Sequence, residues 1–596
     1  MFTTRPEIAG TFGVVTSTHW LGSAVGMAML ERGGNAFDAA VATGFTLQVV
    51  EPHLNGPGGD LPAIFHAKSE GRVRVLCAQG PSPAAATLSH FSDLGLDLIP
   101  GSGFLPAVVP GAFHGWLSLL RDYGTMTLRE VMSDAIGYAR NGYPVVERIT
   151  ATVNTVKDLF ETEWPTSAAV YLKDGKVPAP GSIFSNPTMA GLYERVLKEA
   201  EAGGGSREAV IDRALDIWYR GWVAETIDRF LHAEPMMDAS GRKHLGLLTA
   251  QDMAEYSSHY EDPATIDYGR YTVCKPGFWS QGPTLLQTLR LVETMGLGDM
   301  DPTGPDFVHT VIEAMKLAFA DREAFYADPT QVAVPEKELL SRAYADQRRA
   351  LIGAKASMDL RPGSVAGYSG SIEAALGVDT GLDPRELERM GVGEPTVSKS
   401  GVMKGDTVHM DIIDRDGNMF SATPSGGWLQ SSPIIPELGI CLGNRGQMFW
   451  LDERSPSVLA PKRRPRTTLS PGFALRDGEP YLAFGTPGGD QQDQWSTLLF
   501  LHHVEHGMNL QEAIDCPAFH SEHFPSSFWP RGRKPGRLVV EGRFSAETVS
   551  ELSARGHDVQ VGEDWSEGRL TAARKDGGLL KAAANPRGMQ GYAVGR

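Results

Sequence analysis

The chain has 596 residues and a formal net charge of -17, because 72 acidic residues outnumber 55 basic ones. This length predicts roughly two to four domains, with a core that needs neither disulfides nor metal for its stability. So acidic a surface argues against nucleic acids and anionic membranes as partners. No apolar run of about 18 residues occurs, so the sequence predicts no membrane-spanning helix.

Two further features concern the compartment. Residues 1–10 lack a basic region followed by an apolar region, so no secretory signal is visible. The four cysteines are far apart and form no Cys-x-x-Cys motif: Cys77, Cys274, Cys441 and Cys516. Such cysteines are typical of a reducing compartment without a disulfide framework. We therefore expect a globular, cytoplasmic protein.

Roughly the first 350 residues have the pattern of a helix-rich region with connections rich in Gly and Pro. Helical patterns cover residues 23–35, where two glycines end the pattern, and residues 38–51. The clearest amphipathic helix is predicted for residues 306–329, with four apolar side chains on one face: Val308, Ile312, Met315 and Phe319.

The composition changes at about residues 355–406, which are rich in Gly, Ser and Pro and weakly periodic. This segment predicts a long mobile tether that ends before Thr407. After it, alternating segments flank three Asp-Gly turns, which predict antiparallel hairpins: Asp416-Gly417, Asp477-Gly478 and Asp576-Gly577. One helix is predicted between the second and third hairpins, over residues 495–514.

Common catalytic motifs such as GxGxxG, a Walker A loop, HExxH and GxSxG are not found. One metal-like match exists, because His502, Glu505 and His506 form His-x-x-Glu-His. On a helix the two histidines share a face, as a zinc pair would. A helix end that happens to be rich in histidine is the simpler interpretation, since short motifs match by accident. We predict no metal and no organic cofactor.

Thr407 offers another chemistry, since it follows Gly405-Asp406 and begins an alternating segment. A Thr at a strand start is usually structural. If the bond between Asp406 and Thr407 is cut, however, Thr407 gains an α-amine with a pKa of about 7.7–8.0. That amine can accept the proton of the Thr hydroxyl, so the nucleophile carries its own base.

A second feature supports this interpretation. Gly488 and Gly489 lie where a strand pattern ends and a helix pattern begins. Consecutive Gly amides at such a place can point at an oxyanion, although a tight loop is the favoured interpretation of the two glycines taken alone. Together with a nucleophile, the two glycines become a candidate oxyanion hole.

These residues belong to motifs that resemble those of the γ-glutamyltransferases, which are N-terminal nucleophile hydrolases. The resemblance covers nearly the whole chain, and its motifs occur in the family's order at residues 30–60, 110–145, 314–329, 406–418, 462–490 and 585–588. It implies an α+β fold, a four-layer αββα sandwich, made as one precursor that cleaves itself before Thr407. The products would be a large subunit of residues 1–406 and a small subunit of residues 407–596, which remain together as one unit.

By position, the resemblance makes Thr407 both nucleophile and base. Ser425 takes the place of a hydroxyl that hydrogen-bonds the nucleophile. Thr467 and Thr468 take the place of a Ser-Ser pair that contacts the donor's carboxylate. Gly488 and Gly489 take the place of the oxyanion-hole glycines.

Three positions depart from the family. Its Arg that grips the donor's α-carboxylate falls at Gln79, its Asn beyond the nucleophile hairpin at Gly427, and its acidic residue for the α-amine at Trp450. The loop that would cover the site is also short, since only residues 452–461 separate Trp450-Leu451 from Lys462. Without a fixed cation and a fixed anion in the site, the charged head group of an α-amino acid would lose its hydration on binding and gain few favourable contacts in return.

We therefore predict a self-processing amide hydrolase or acyltransferase that acts on a small-molecule amide other than a γ-glutamyl donor. Phe449, Trp450 and Trp428 favour an apolar or aromatic acyl group, unless they are ordinary core residues. One alternative is a genuine γ-glutamyl hydrolase or transpeptidase that grips its donor with Gln79, Thr467 and Thr468. Another is a non-catalytic binding protein that keeps the fold. A homo-oligomer is compatible with the sequence.

Overall fold

The computed structural model describes residues 2–378, 407–588 and 591–596. The predicted cleavage residue Asp406 and most of the predicted tether lie outside the described residues. The tether's beginning is described and includes one short helix, Glu373–Leu376.

The helices are numbered in chain order: α1 Trp20–Glu31, α2 Ala36–Val50, α3 Leu88–Asp93, α4 Ala112–Tyr123, α5 Leu128–Asn141, α6 Glu147–Thr155, α7 Lys157–Thr162, α8 Pro165–Tyr171, α9 Pro187–Ala202, α10 Arg207–Tyr219, α11 Trp222–Ala233, α12 Ala250–Ala254, α13 Pro283–Val292, α14 Pro305–Phe325, α15 Glu336–Leu339, α16 Arg342–Arg349, α17 Glu373–Leu376, α18 Gln492–Val504, α19 Leu510–Asp515 and α20 Ala546–Ala554. Short 3-10 turns cover Leu297–Asp299, Arg445–Met448 and Gly489–Gln491.

The strands are numbered likewise: β1 Ile8–Gly10, β2 Gly13–Ser17, β3 Leu61–Ala67, β4 Arg72–Ala78, β5 Tyr143–Pro144, β6 Ile183–Phe184, β7 Met236–Met237, β8 Lys243–His244, β9 His259–Glu261, β10 Ala264–Tyr268, β11 Tyr271–Lys275, β12 Met410–Asp414, β13 Met419–Ala422, β14 Gly472–Arg476, β15 Glu479–Gly485, β16 Phe519–Ser521, β17 Arg537–Val540, β18 Asp558–Val561, β19 Thr571–Asp576, β20 Leu579–Ala584 and β21 Tyr592–Gly595.

Two seven-stranded antiparallel sheets form the centre of the fold. Sheet I has the order β21-β2-β12-β13-β3-β4-β9, and sheet II has the order β1-β20-β19-β15-β14-β11-β10. Apolar side chains such as Val14 and Ile413 from sheet I and Phe473 and Ala573 from sheet II share one buried cluster between the sheets. Their antiparallel strands and shared core make a sandwich.

Helices cover the outer face of each sheet. A cluster that includes Phe45 of α2 and Trp116 of α4 packs on the outer side of sheet I. A second cluster that includes Met315 of α14 and Phe500 of α18 packs on sheet II. The predicted four-layer αββα sandwich is therefore confirmed.

The predicted division into a helical first part and a later sheet is wrong in one respect. Strands β2, β3, β4, β9, β10 and β11 precede the tether, yet they pair within both large sheets. Strand β3 shows why the sequence did not reveal them, since all seven of its residues are buried. A strand buried on both faces has no polar alternation.

Two predicted helices also differ from the structure. Helix α14 is buried on all sides from Phe307 to Phe325 rather than amphipathic, and charged residues in this span are buried with ion-pair partners, as in Lys316–Glu313 and Arg322–Glu323. The helix predicted for residues 495–514 is two helices, α18 and α19, and Gly507 with φ +67 lies in the break between them.

All three predicted Asp-Gly hairpins are confirmed. In the first, β12 pairs with β13, and the Asp414 carboxylate accepts hydrogen bonds from the backbone amides of Asp416, Gly417 and Asn418. Gly417 has φ +94, a conformation that glycine adopts without strain. The turn holds β12 in register at the centre of sheet I.

Two general expectations can be compared with the structure. Among the described residues, no helix is both long enough and apolar enough to cross a bilayer. All four cysteines are unpaired, and three of them are buried.

Candidate active site

Thr407 lies immediately before β12 and is completely buried. It forms a β-bridge with Ser425, which follows β13, and its Oγ1 lies 3.1 Å from Ser425 Oγ. The backbone N–H of Val408 donates to the carbonyl of Pro424 at 3.1 Å, which fixes the same strand end. The structure thus brings together the predicted nucleophile and the hydroxyl predicted to bind it.

A row of polar side chains continues from Thr407 along the same strand face. Residues 407, 409 and 411 alternate, so all three face sheet II. His409 Nδ1 lies 2.9 Å from Thr423 Oγ1, and His409 Nε2 lies 3.0 Å from Asp411 Oδ1. Thr571 of sheet II donates to Asp411 Oδ2 at 2.7 Å. This hydrogen-bonded row ties the nucleophile strand to sheet II.

The sequence reading missed this row. The available signal was the spacing of Thr407, His409 and Asp411 in a segment whose intervening residues, at 408 and 410, are apolar. A polar face within a buried strand is costly unless its groups are hydrogen-bonded, so it points to a specific network.

Ser425 is held by the segment at residues 55–60. Its backbone exchanges hydrogen bonds with that of Asp60, at 2.7 and 3.1 Å. A Cβ atom at Gly59 would overlap the carbonyl oxygen of Ser425, so only glycine permits this approach. The Asp60 carboxylate accepts a hydrogen bond from Arg445 Nε at 2.9 Å. Burial raises the pKa of Asp60, and the Arg445 charge opposes that shift.

The candidate oxyanion loop follows β15. Gly488 and Gly489 have φ values of +135 and +55, and a Cβ at Gly488 would overlap the ring of Trp495. Neither amide donates a hydrogen bond to any described residue. Three residues earlier, a Cβ at Gly485 would overlap the His409 ring, so the end of β15 packs against the nucleophile strand. Two unused amides therefore lie near the Thr407 end of the sandwich.

The predicted carboxylate-binding residues differ in what they offer. The backbone N–H of Thr467 donates to the Trp279 carbonyl, and its carbonyl accepts from the N–H of Gln281. Its Oγ1 accepts a hydrogen bond from the N–H of Leu469 at 3.2 Å. Thr468 Oγ1 is buried and has no hydrogen-bond partner among the described residues. Thr468 therefore offers the freer hydroxyl of the pair.

Gln79 is a poor replacement for an arginine. Its Nε2 donates to the carbonyl of Pro465, so Oε1 is the atom left buried without a described partner. An oxygen in that place would repel a carboxylate. Gln79 also lines a separate cavity of about 320 Å³ together with Arg464 and Tyr256.

The structure also describes the other departures. Gly427 has φ +68, and a Cβ there would lie 3.0 Å from the backbone nitrogen of Gly59, so a side chain would be strained as well as crowded. Trp428 and Phe449 are core residues: the Trp428 Nε1 donates to the Leu54 carbonyl at 2.6 Å, and Phe449 packs in an apolar cluster. Trp450 lines a cavity of about 600 Å³, and it also packs in the apolar cluster on sheet II.

A buried ionic cluster lies behind the oxyanion loop, and the sequence reading missed it. Arg322 pairs with Asp490, which directly follows Gly489, and its Nη2 lies 2.9 Å from Glu323. Arg466, which precedes Thr467, lies 2.9 Å from the same Glu323 oxygen. The cluster therefore connects the oxyanion loop to the threonine pair.

Among the described residues, His502, Glu505 and His506 do not form a compact group of ligand atoms, and Glu505 Oε1 accepts a hydrogen bond from the Tyr268 hydroxyl. Within the described residues, the only compact group of three metal-ligand side chains is Cys77, His259 and Glu261. Arg464 already occupies its centre, at 2.9 Å from Cys77 Sγ and 2.7 Å from Glu261.

Comparisons with known proteins agree with this architecture. A family model described as Gamma-glutamyltranspeptidase matches residues 22–595. The chain is 30% identical to a glutathione hydrolase-like YwrD proenzyme of Bacillus subtilis, over 99% of each chain. It is also 30% identical to an oxamate amidohydrolase proenzyme of Klebsiella pneumoniae, over 97% of each. The solved structure of LmbA2991HD is 53% identical, covers 100% of both chains and has a TM-score of 0.92.

Proposed function

The chain belongs to the gamma-glutamyltranspeptidase family, and on this premise we propose that it is a self-processing hydrolase of small amides, with Thr407 as nucleophile and an acyl group other than γ-glutamyl. The observation that carries the proposal is the buried pair of hydroxyls of Thr407 and Ser425, 3.1 Å apart at the head of a central strand. A hydroxyl held so firmly can attack without first being ordered.

The mechanism has two stages. In the precursor, Thr407 Oγ1 attacks the carbonyl of Asp406, and the C–N bond then breaks, so that an ester forms and the α-amine of Thr407 becomes free. Water hydrolyses this ester, which releases the carboxylate of Asp406 and restores the hydroxyl of Thr407. In catalysis, Oγ1 attacks the amide carbonyl of the substrate while this amine accepts its proton. The Gly488 and Gly489 amides stabilise the oxyanion. The amine product leaves with that proton, and water releases the acid from the acyl-enzyme.

The choice of acyl group rests on the residues that replace the family's charged ones. Gln79 presents an acceptor, Gly427 has no side chain and Trp450 has no charge, so a γ-glutamyl head group meets neither fixed ion at these positions. One relative is named for oxamate, an amide whose acyl group has no α-amino group. An acyl group without that amine suits the described residues better.

The test begins with purified protein on a denaturing gel. We expect fragments of roughly 44 and 20 kDa, with the smaller beginning Thr-Val-His-Met on Edman sequencing. The cleaved protein is then assayed on anilides of acyl groups with and without an α-amino group. A chain that stays at 64.4 kDa and hydrolyses no amide contradicts the proposal.

The main alternative is a γ-glutamyl hydrolase that acts on glutathione-like donors. The Thr468 hydroxyl favours it, because it has no hydrogen-bond partner among the described residues and is a neutral donor for a carboxylate. Glutathione turnover at a kcat/KM of about 10⁴ M⁻¹s⁻¹ or more would favour this alternative over our proposal.

A further inference from the structure

Arg531 has no assigned role and an unusual environment. Its side chain is almost fully buried, and its Nη2 donates to the carbonyls of Gln447 and Phe449 at 2.8 and 3.0 Å. Its other terminal nitrogen, Nη1, is buried and has no hydrogen-bond partner among the described residues. A buried, charged donor without an acceptor is expensive, so it points to a missing partner.

The charges around Arg531 do not balance. Three guanidinium groups, those of Arg322, Arg466 and Arg531, share two buried carboxylates, those of Glu323 and Asp490. Glu323 forms ion pairs with Arg322 and Arg466, and Asp490 forms one with Arg322. Among the described residues, no carboxylate forms an ion pair with Arg531. Burial and the neighbouring Arg466 accordingly lower the pKa of Arg531. One further negative charge would neutralise the cluster.

The place of this cation relates it to the site. Its guanidinium stacks on the ring of Trp450, 4.1 Å from the ring centre. Trp450 also lines the cavity of about 600 Å³. On the other side, Ser527 of the same loop donates to Asp490 at 2.7 Å, next to Gly489 of the oxyanion loop. Arg531 therefore lies between the oxyanion loop and the position where the family has an acid for the donor's amine.

The loop holds Arg531 in one position. Arg531 has φ +63, its backbone N–H donates to the Phe528 carbonyl at 2.7 Å, and Trp529 donates to Gln447 Oε1 at 3.0 Å. A fixed guanidinium loses little conformational entropy when it binds, and it presents N–H groups in a geometry that suits a carboxylate.

We propose that Arg531 is a specificity-determining residue that binds a carboxylate on the acyl part of the substrate, so that the enzyme acts on monoamides of dicarboxylic acids. This inference rests on the proposed function and defines its substrate class. Nη1 donates to one carboxylate oxygen, and the substrate's charge completes the cluster of three guanidinium groups and two carboxylates. The Arg531 cation, stacked on Trp450, thus takes the place of the anion that the family has there. The enzyme therefore selects an acyl group with a carboxylate rather than one with an α-amine.

The experiment uses pairs of p-nitroanilides with equal chain length. One member carries the free acid, as in oxalyl, malonyl, succinyl and glutaryl anilides, and the other carries its methyl ester. We expect cleaved wild-type enzyme to prefer the acid by about ten- to hundredfold in kcat/KM at the best chain length. A ratio near one at every length would overturn the inference.

Variants locate the effect. Arg531→Gln should lower the acid-to-ester ratio to about one and change kcat/KM for the ester little, whereas Arg531→Lys should restore part of the preference. Arg537→Gln is the matched control, because it removes an arginine whose partner is Asp558, 2.6 Å away. An acid preference that survives in Arg531→Gln, or an equal loss for acid and ester, would contradict the proposal.

Two further measurements make the result decisive. If Arg531→Gln fails to fold, as a missing self-cleavage product would indicate, wild-type inhibition decides: 4-oxopentanoate, which has a methyl ketone in place of the amide, should bind at least about tenfold more tightly than its methyl ester, which has no carboxylate. An anilide with its carboxylate on the leaving amine should gain nothing, and a gain there would overturn the assignment to the acyl part. Ester anilides that are hydrolysed without any acid preference would leave the proposed function intact and remove only this inference.

Discussion

The two ends of the candidate site are built differently. At the nucleophile end, main-chain approaches fix the groups: Ser425 pairs with Asp60 through the backbone, and Gly59 allows no larger residue. At the acyl end, side chains define the surroundings: Gln79 donates to the Pro465 carbonyl, and the Trp450 ring stacks on Arg531. The comparison indicates that the proposed chemistry depends on the position of the backbone, whereas the proposed substrate recognition depends on individual side chains.

The largest effect should come from the nucleophile itself. Thr407→Ala removes the hydroxyl, so the precursor should remain uncleaved and amide hydrolysis should fall by on the order of 10⁴-fold or more. Thr407→Ser should be processed more slowly and remain active, because its hydroxyl is retained. A denaturing gel and an anilide assay measure both. A cleaved, active Thr407→Ala protein would place the chemistry elsewhere.

A smaller loss is expected at the oxyanion loop. Gly488→Ala adds a Cβ that overlaps Trp495 at a φ of +135, so the amide should be displaced. We expect kcat to fall by about 10²–10³-fold. Gly478→Ala is the matched control, because that glycine also has a positive φ, +86, but open space around it. Equal losses in both variants would attribute the effect to backbone strain.

The acyl end predicts a preference in the wild-type enzyme. A γ-glutamyl anilide should be hydrolysed about a hundredfold less well than a non-amino acyl anilide of similar size, because the family's charged groups are absent from positions 79 and 450 and the ammonium group of the donor would lie near the Arg531 cation. The ratio of the two kcat/KM values measures this preference. A wild-type enzyme that prefers the γ-glutamyl donor would contradict the comparison.

A double variant sharpens the same point. Gln79→Arg with Trp450→Asp should move the preference toward the γ-glutamyl donor. The structure limits the expected gain, because an Asp at position 450 would replace a ring stacked on Arg531 and would pair with that cation. Adding Arg531→Gln should therefore enlarge the change, whereas no difference between double and triple variants would show that Arg531 does not compete for the new carboxylate.

The smallest effect is expected for Ser425→Ala. Its hydroxyl orients Thr407 Oγ1 but makes no bond in the reaction, so activity should fall by about tenfold, the value of one neutral hydrogen bond. Ser431→Ala is the control, because it removes a buried hydroxyl that bonds only to backbone carbonyls of Trp428 and Leu442. A loss as large as that of Thr407→Ala would give Ser425 a direct part in the chemistry.

Local signals explain which parts of the fold could be predicted. The Asp-Gly hairpins were found because a turn depends on a few adjacent residues. Strands such as β3 are not recognised because both faces are buried, and the sequence of α14 predicts an amphipathic helix because it does not show that charged side chains such as Arg322 have partners inside the core, here Asp490.

The site divides in the same way. Thr407, Ser425 and the two glycines were placed by motifs, and their roles stay predictions until the variants are measured. Arg531 could not be found from the sequence, because Gln447, Trp450 and Glu323 reach it only through the fold. An arginine points to a binding site only when the structure shows that no nearby carboxylate pairs with it.

The alternation of strands from before and after the predicted scissile bond has a mechanical consequence. Within the described residues, a strand from before the bond pairs with a strand from after it at three places in sheet I, β21/β2, β2/β12 and β13/β3. The same happens at two places in sheet II, β1/β20 and β14/β11. Breaking the bond before Thr407 would therefore leave two polypeptides that stay hydrogen-bonded to each other at five strand pairs. Neither could depart without unravelling both sheets, so maturation would be a change of connectivity that is irreversible in practice, and the heterodimer should unfold as a single cooperative body.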